Sequence, residues 1–395
     1  MKENRLSALW HRDGTRSVLA SLISILIGLA AGSLIILLIG CFNKNLGLKS
    51  AWDGIRLVVL GPFSTGRNAS GALTFGFNPA SIGNMLFRAT PVILTGLSVA
   101  VANKTGLFNI GAAGQYTLGA FGALYCAIVL QLPWYLCLLA AMVLGALWGA
   151  IPGFFKAYMN INEVITSIMF NWIGLYMVND IMYGKGQSPM YDLATTKTYS
   201  LRKVAPGSMI PSCGMSDHFG KLQSVTIAIF IAILFAVIVY VVLNKTTFGY
   251  ELKACGFNKN AAQYAGINDK RNIILSMTIA GALAGVGAGL YYLSTVAEWN
   301  PQVSTALPAI GFNGISAALL ACSNPIGTVF SSLFISYITV GGTKLSTQYY
   351  TKEIADVITA LIIYLCAFSM LFRSKIRTLL TGKTRRTGLG KGGNN

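Results

Sequence analysis

The sequence predicts an all-α, polytopic membrane protein of about ten transmembrane helices, some of them broken or re-entrant, and three observations predict it. The 395 residues are 54% hydrophobic and only 11% charged, more apolar surface than one soluble core of this length buries. The 43 glycines follow no Gly-X-Y period; small residues let membrane helices approach closely where no hydrophobic force acts between them. The basic residues, which give a formal net charge of +18, sit in short segments between apolar runs, so they read as topology signals and not as a nucleic-acid surface.

The elements follow in order. A charged start, residues 1–16, precedes an apolar run over 17–40, roughly the length that spans a bilayer and longer than a signal peptide's apolar stretch, so it reads as a retained helix. Further runs cover 83–102, 110–130, 133–155, 163–183, 223–243, 273–293, 309–322, 326–342 and 354–372. An even number of spans puts both termini on one side. With the N-terminus cytoplasmic, that side receives Lys2, Arg5, Arg12, Arg16, Lys104, Lys156, the basic residues from Lys245 to Arg271, and the basic tail 373–395. Most charges on the opposite side fall in two long external segments, 41–82 and 184–222, which count little in that rule. The transmembrane domain thus extends over 17–372, with a cytoplasmic segment at 244–272. The run at 309–322 reaches only about 21 Å against a hydrocarbon core of roughly 30 Å, so it reads as a half-helix; its open backbone must line a cavity or lie buried in protein. Residues 106–115 raise the same expectation.

Several chemistries are excluded. Gly382-Lys383-Thr384 resembles the end of a phosphate loop, but Arg377 stands where that loop needs glycine, and Gly388, Gly390 and Gly393 lack the strand and helix a dinucleotide fingerprint requires. Two isolated histidines, His11 and His218, build no triad or metal site. The seven cysteines form no CxxC pair and lie mostly in or beside apolar runs, where cysteine behaves as a small hydrophobe. Asn68-Ala69-Ser70 is a chance sequon. The carboxylates closest to spans, Glu163, Asp180 and Asp356, sit near span ends, where they reach water and suit a proton relay poorly.

The informative cytoplasmic segment is NKTTFGYELKACGFNKNAAQYAGINDKR, residues 244–271. It reads as helix, break, helix: Gly256 can end the first piece, Asn258 can cap the second, and Gly266 can terminate it. Ala261, Ala262 and Ala265 then offer a smooth face, which suits docking into another protein's groove and equally suits a loop lying on lipid headgroups. Next comes AGALAGVGAGLYYL, whose Gly281, Gly285 and Gly289 stand four apart on one face, the pattern of a helix packed tightly against another.

Four runs together resemble one family: TGLFNIGAAGQYTLGAF (105–121), NEVITSIMFNW (162–172), FGYELKACGFNKNAAQYAGI (248–267) and GFNGISAALLACSNPIG (311–327). They resemble the ATP-binding-cassette (ABC) importer permeases for nucleosides or simple sugars, relatives of the ribose and branched-chain amino acid permeases, over about residues 80 to 345. The resemblance implies that Gly249, Glu251, Leu252, Lys253, Ala254, Gly256, Ala261, Ala262, Ala265 and Gly266 belong to a cytoplasmic coupling segment that docks on a separate ATPase subunit. It also implies that Asn109, Gly111, Gly114, Gln115, Asn162, Glu163, Asn171, Gly311, Phe312, Asn313 and Gly314 line the pathway. The family's NIGAEGQ reads NIGAAGQ here, so Ala113 replaces an acidic residue, and the stretch 61–76 looks inserted.

The Asn-rich motifs and NEVI look most like the nucleoside group, and uncharged amides can exchange hydrogen bonds with base and ribose. The same amides suit sugar hydroxyls. By resemblance, the partners are an ATPase with two nucleotide-binding cassettes, which holds ATP and Mg, a second permease chain forming a heterodimer, and an external lipoprotein, all at a bacterial cytoplasmic membrane. The chain itself would bind no cofactor and catalyse nothing. The rival reading is an ion-coupled secondary carrier, disfavoured by the coupling-like segment and by the shortage of midplane carboxylates.

Overall fold

The computed structural model describes residues 13–42, 47–222, 224–294, 296–301, 306–346 and 350–367. The extreme N-terminus with His11 and the basic tail with its nucleotide-like patterns lie outside these residues.

Thirteen longer helices organise the described chain: α1 (Asp13–Phe42), α2 (Gly47–Leu60), α3 (Pro79–Lys104), α4 (Ala112–Ile128), α5 (Trp134–Met159), α6 (Glu163–Tyr183), α7 (Ala228–Lys245), α8 (Thr247–Phe257), α9 (Lys259–Tyr264), α10 (Asp269–Tyr292), α11 (Ala309–Leu320), α12 (Pro325–Ser346) and α13 (Lys352–Ala367). Seven of these (α1, α3, α5, α6, α7, α10 and α12) are long and apolar enough to cross a membrane. Helices α4, α11 and α13, with 17, 12 and 16 residues, occupy three of the sequence's apolar runs but are shorter.

Asparagines set many of the starts. Asn78, Asn162, Asn258 and Asn268 each accept a first-turn backbone N–H at α3, α6, α9 and α10, satisfying donors that have no intrahelical partner. Asn160 closes α5 in a left-handed conformation, φ 51°.

Helices α3 and α10 are the most buried of the long spans, with 78% and 72% of their apolar windows inside the molecule, and they form the centre with α4. Helices α5, α6 and α7 cover them and present large apolar side chains outward, such as Leu147, Ile165 and Phe230, as a lipid-facing surface must. The contact between α5 and α10 is built by glycines on both sides. A Cβ on Gly281 would collide with the Gly145 carbonyl oxygen, and one on Gly285 with that of Ala141. A Cβ on Gly149 would lie 2.9 Å from Gly281 Cα, and one on Gly289 2.8 Å from the Leu138 side chain. Two small-residue ladders with a spacing of four thus interlock, bringing backbones together where lipid supplies no driving force.

A second layer consists of α1, α2, α12 and α13, joined through Ile36, Val58, Ile338, Leu345 and Ile358. Here the structure differs from the sequence expectation. The external segment 41–82 contains the amphipathic helix α2, which buries Ala51, Gly54, Leu57 and Val58, followed by a hairpin of Ser64–Arg67 and Leu73–Phe75. Its helical period was masked by the charges and glycines of GLKSAWDGIRLVVL.

Candidate functional site

Three places gather the motif residues. The first is the non-helical turn between α3 and α4. Gly106, at φ +75°, reverses the chain, and α4 begins only at Ala112. Asn109, fully buried, donates to Ser98 Oγ at 2.9 Å and to Gln115 Oε1 at 2.8 Å, while Gln115 Nε2 donates back to Asn109 Oδ1 at 3.1 Å. From α6, Asn171 accepts from the Gly114 N–H at 2.8 Å and donates to the Ile110 carbonyl at 3.0 Å. Asn171 therefore caps a helix that lacks a capping residue of its own. Buried amides bonded to one another and to the backbone hold one geometry strongly.

The glycines here are close-approach positions. A Cβ on Gly114 would lie 2.8 Å from Asn171 Cα, and one on Gly111 3.1 Å from Ser167 Oγ. Helix α11 presses on the same place. A Cβ on Gly311 would meet Ala113 Cα at 2.6 Å, and one on Gly314 would meet Thr95 Cβ at 2.6 Å. Ala113 is buried against Gly311, so the small side chain is what the crossing accommodates. Asn162 and Glu163 lie apart from this node, at the start of α6: Asn162 caps the helix, and Glu163 pairs with Lys156 at 2.9 Å. Phe312 is 40% exposed, and Asn313 faces a cavity described below.

The second place is the segment 244–272. Thr246 caps α8 through the Gly249 N–H, Asn258 caps α9 through the Ala261 N–H, and Gly266 ends the hairpin at φ +80°. Gly256 does something other than end the first piece. The helix runs on to Phe257, and Gly256 packs on the turn after α3, where a Cβ would meet Lys104 O at 2.5 Å and Gly106 N at 2.9 Å. Gly249 presses on the backbone of α7 at Leu243. Leu252 is buried, and Asn272 donates to Glu251 at 3.2 Å. Lys259 pairs with Asp269 at 3.2 Å, fixing α9 to α10.

The expected smooth alanine face is only partly outward. Ala261 and Ala265 are exposed, but Ala262 is 4% exposed, because α9 must bury one side to stay on the molecule. Exposed beside them are Phe257 at 92% and Tyr264 at 96%, large aromatics that the sequence reading passed over. Lys253 and Ala254 are half-buried.

The third place was missed altogether. Near the opposite end of α3, a cleft of about 440 Å³ is lined by Asn84, Phe87, Arg88 and Tyr291, and it adjoins a smaller cavity where Arg88 and Tyr291 meet Asn313 and Ser336. The overlooked signal was a lone cation inside the apolar run 83–102, a functional pointer in any membrane span.

Residues 81–367 match the family described as the permease component of branched-chain amino acid transport systems. The chain is 33% identical to the guanosine ABC transporter permease protein NupP of Bacillus subtilis, over 94% of this chain and 97% of that one. It is 34% identical to the nucleoside ABC transporter permease protein NupB of Lactococcus lactis, over 89% and 91%. Similarity also extends to the glucose ABC transporter permease protein TsgB13 of Haloferax volcanii, at 29% identity over 73% and 76%. No solved structure matches. With its glycine-laddered helices, its non-helical turn between α3 and α4 and its capped helical hairpin, and with the family match covering residues 81–367, the chain belongs to the branched-chain amino acid transport permease family.

Proposed function

We propose that this chain is the channel-forming permease subunit of an ABC importer that moves nucleosides inward by alternating access, driven by a separate ATPase. The observation that carries this reading is the placement of the hairpin α8–α9. It grips the α3–α4 turn through Gly256 and Gly106, is tied to α10 by the Lys259–Asp269 pair, and leaves Phe257 and Tyr264 bare. An exposed aromatic pair on a short helical knuckle suits the groove of a partner protein better than water. A push on the knuckle passes into α3 and α10, the two most buried spans. The nucleoside substrate rests on the likeness to the guanosine and nucleoside permeases over nearly the whole chain.

The finer features belong to the same proposal: ten membrane passages with α4, α11 and α13 completing the seven long ones, both termini cytoplasmic, a heterodimer with a second permease, an external lipoprotein that delivers substrate, and residence in a bacterial cytoplasmic membrane. ATP and Mg reside on the ATPase, and no covalent chemistry occurs in this chain. Simple sugars are the second reading, favoured by the glucose permease likeness.

The test is ATP-dependent uptake into proteoliposomes holding the complete transporter, with labelled guanosine, adenosine, cytidine and ribose in competition. Nucleoside uptake that stops without the ATPase is the expected result. Competition by ribose alone would replace nucleosides by sugars, and uptake that persists on an ion gradient without ATPase would remove the importer.

A further inference from the structure

Arg88 stands nine residues inside α3, about 14 Å below its first residue at 1.5 Å per residue. Among the described residues no carboxylate lies within salt-bridge distance of it; its Nε donates to Asn84 Oδ1 at 3.3 Å, one turn away. No acidic side chain lines the cleft or the adjoining cavity. An unpaired guanidinium in a membrane span is costly, and it persists where something else uses its charge. Next to it in the chain and lining the same cleft, Phe87 stacks on Tyr291 of α10, with ring centroids 5.0 Å apart and planes 19° from parallel. In the adjoining cavity, the Ser336 hydroxyl is 2% exposed and has no hydrogen-bond partner, an orphan group that needs a visitor. Asn313 completes the lining. Pro91, one turn further along α3, has no N–H to return to the Phe87 carbonyl, which opens the backbone at this level.

Resting on the nucleoside reading above, we propose that this cleft is a substrate way-station selective for purines whose exposed edge is all acceptor. Arg88 meets the 6-carbonyl and N7 together, the Phe87–Tyr291 pair supports the base by stacking, and Asn313 and Ser336 address the ribose. A guanidinium presents parallel donors that match the O6/N7 edge of guanine or hypoxanthine, whereas adenine sets its 6-amino donor against the same fork. The cleft's volume lies in the range of small-molecule sites. It lies at the end of α3 away from the hairpin that grips Lys104, so binding and drive address opposite ends of one helix.

The experiment compares labelled guanosine, inosine and adenosine uptake by the complete reconstituted transporter carrying wild-type chain, Arg88→Gln or Arg88→Lys. The binding lipoprotein is unchanged between variants, so a change in the guanosine-to-adenosine ratio belongs to the permease. Arg88→Gln is expected to lower guanosine and inosine uptake about tenfold relative to adenosine, the size of one lost bidentate base contact. Arg88→Lys keeps the charge without the fork and is expected to shift the ratio in the same direction; it serves if the glutamine variant fails to reach the membrane. Equal losses for both purines, an unchanged ratio, or stronger competition by guanosine monophosphate than by guanosine would each overturn the proposal. A wild-type transporter that moves no nucleoside would strike the function proposed above, before any variant is examined.

Discussion

Replacing Gly256 tests how the hairpin α8–α9 is joined to the core. A β-carbon there would lie 2.5 Å from the Lys104 carbonyl oxygen and 2.9 Å from Gly106 N and Thr105 C, all backbone atoms that cannot swing aside. Normal contact begins near 3.4 Å, so α8 must retreat from the α3–α4 turn by about 0.9 Å. Forcing extra carbon into a packed contact costs about 1–3 kcal/mol, roughly 5- to 150-fold in a coupling equilibrium. For Gly256→Ala we expect normal membrane levels and normal basal ATP hydrolysis by the partner, with nucleoside transported per ATP falling at least fivefold. Gly256→Val should be worse. The control is Gly266→Ala: Gly266 has φ +80° but nothing within 4 Å of the added carbon, so only local strain of about 1 kcal/mol is imposed. The assay is the ratio of substrate moved to phosphate released in proteoliposomes. A Gly256→Val transporter with the wild-type ratio would show that the stroke does not pass through this contact.

Other substitutions separate the remaining contacts. Gly285→Leu, set against the Ala141 carbonyl, should abolish accumulation of folded protein, whereas Gly47→Ala, with open space around it, should leave the melting temperature in detergent unchanged after allowance for its own φ of +65°. Asn171→Leu leaves the Gly114 N–H and the Ile110 carbonyl buried without partners, a loss of about 1–3 kcal/mol that should appear as a lower melting temperature. Ala262→Glu buries a charge and should reduce folded protein, while Ala261→Glu, on the exposed side, should leave folding intact and weaken co-purification of the ATPase. Tyr264→Ala should weaken that co-purification as well, since it removes the most exposed large apolar side chain of the knuckle.

The long spans were legible because twenty or so apolar residues without charge admit few other states, and the asparagine and glycine punctuation at Asn258 and Gly266 gave the hairpin its outline. The glycine ladder of α10 showed that a tight neighbour exists. It did not show that the neighbour is α5, because a spacing of four marks a face and not its partner. Motif positions put Asn109, Gln115, Asn162 and Asn171 on the pathway, yet in the fold they bond one another or cap helices. An amide in a sequence advertises donors and acceptors without saying who will use them. Helix α2 was read as loop because two lysine or arginine residues, an aspartate and three glycines or serines broke its apolar stripe. Arg88 was overlooked for the opposite reason, since one cation barely lowers the mean of a strongly apolar run.

Helix α11 is the shortest of the three helices that occupy an apolar run without the length of a full span, and its position has a consequence. Its twelve residues rise about 18 Å and end at a reversal at Cys322 and Ser323, where Asn103 near the end of α3 donates to the Ser323 hydroxyl at 3.1 Å. At its first turn, Ile310 and Asn313 line the small cavity that Arg88 also lines. Through Asn313 the short helix reaches the cavity beside Arg88, and through Gly311 it packs on Ala113 next to the amide cluster, so a displacement of α11 is felt at both places.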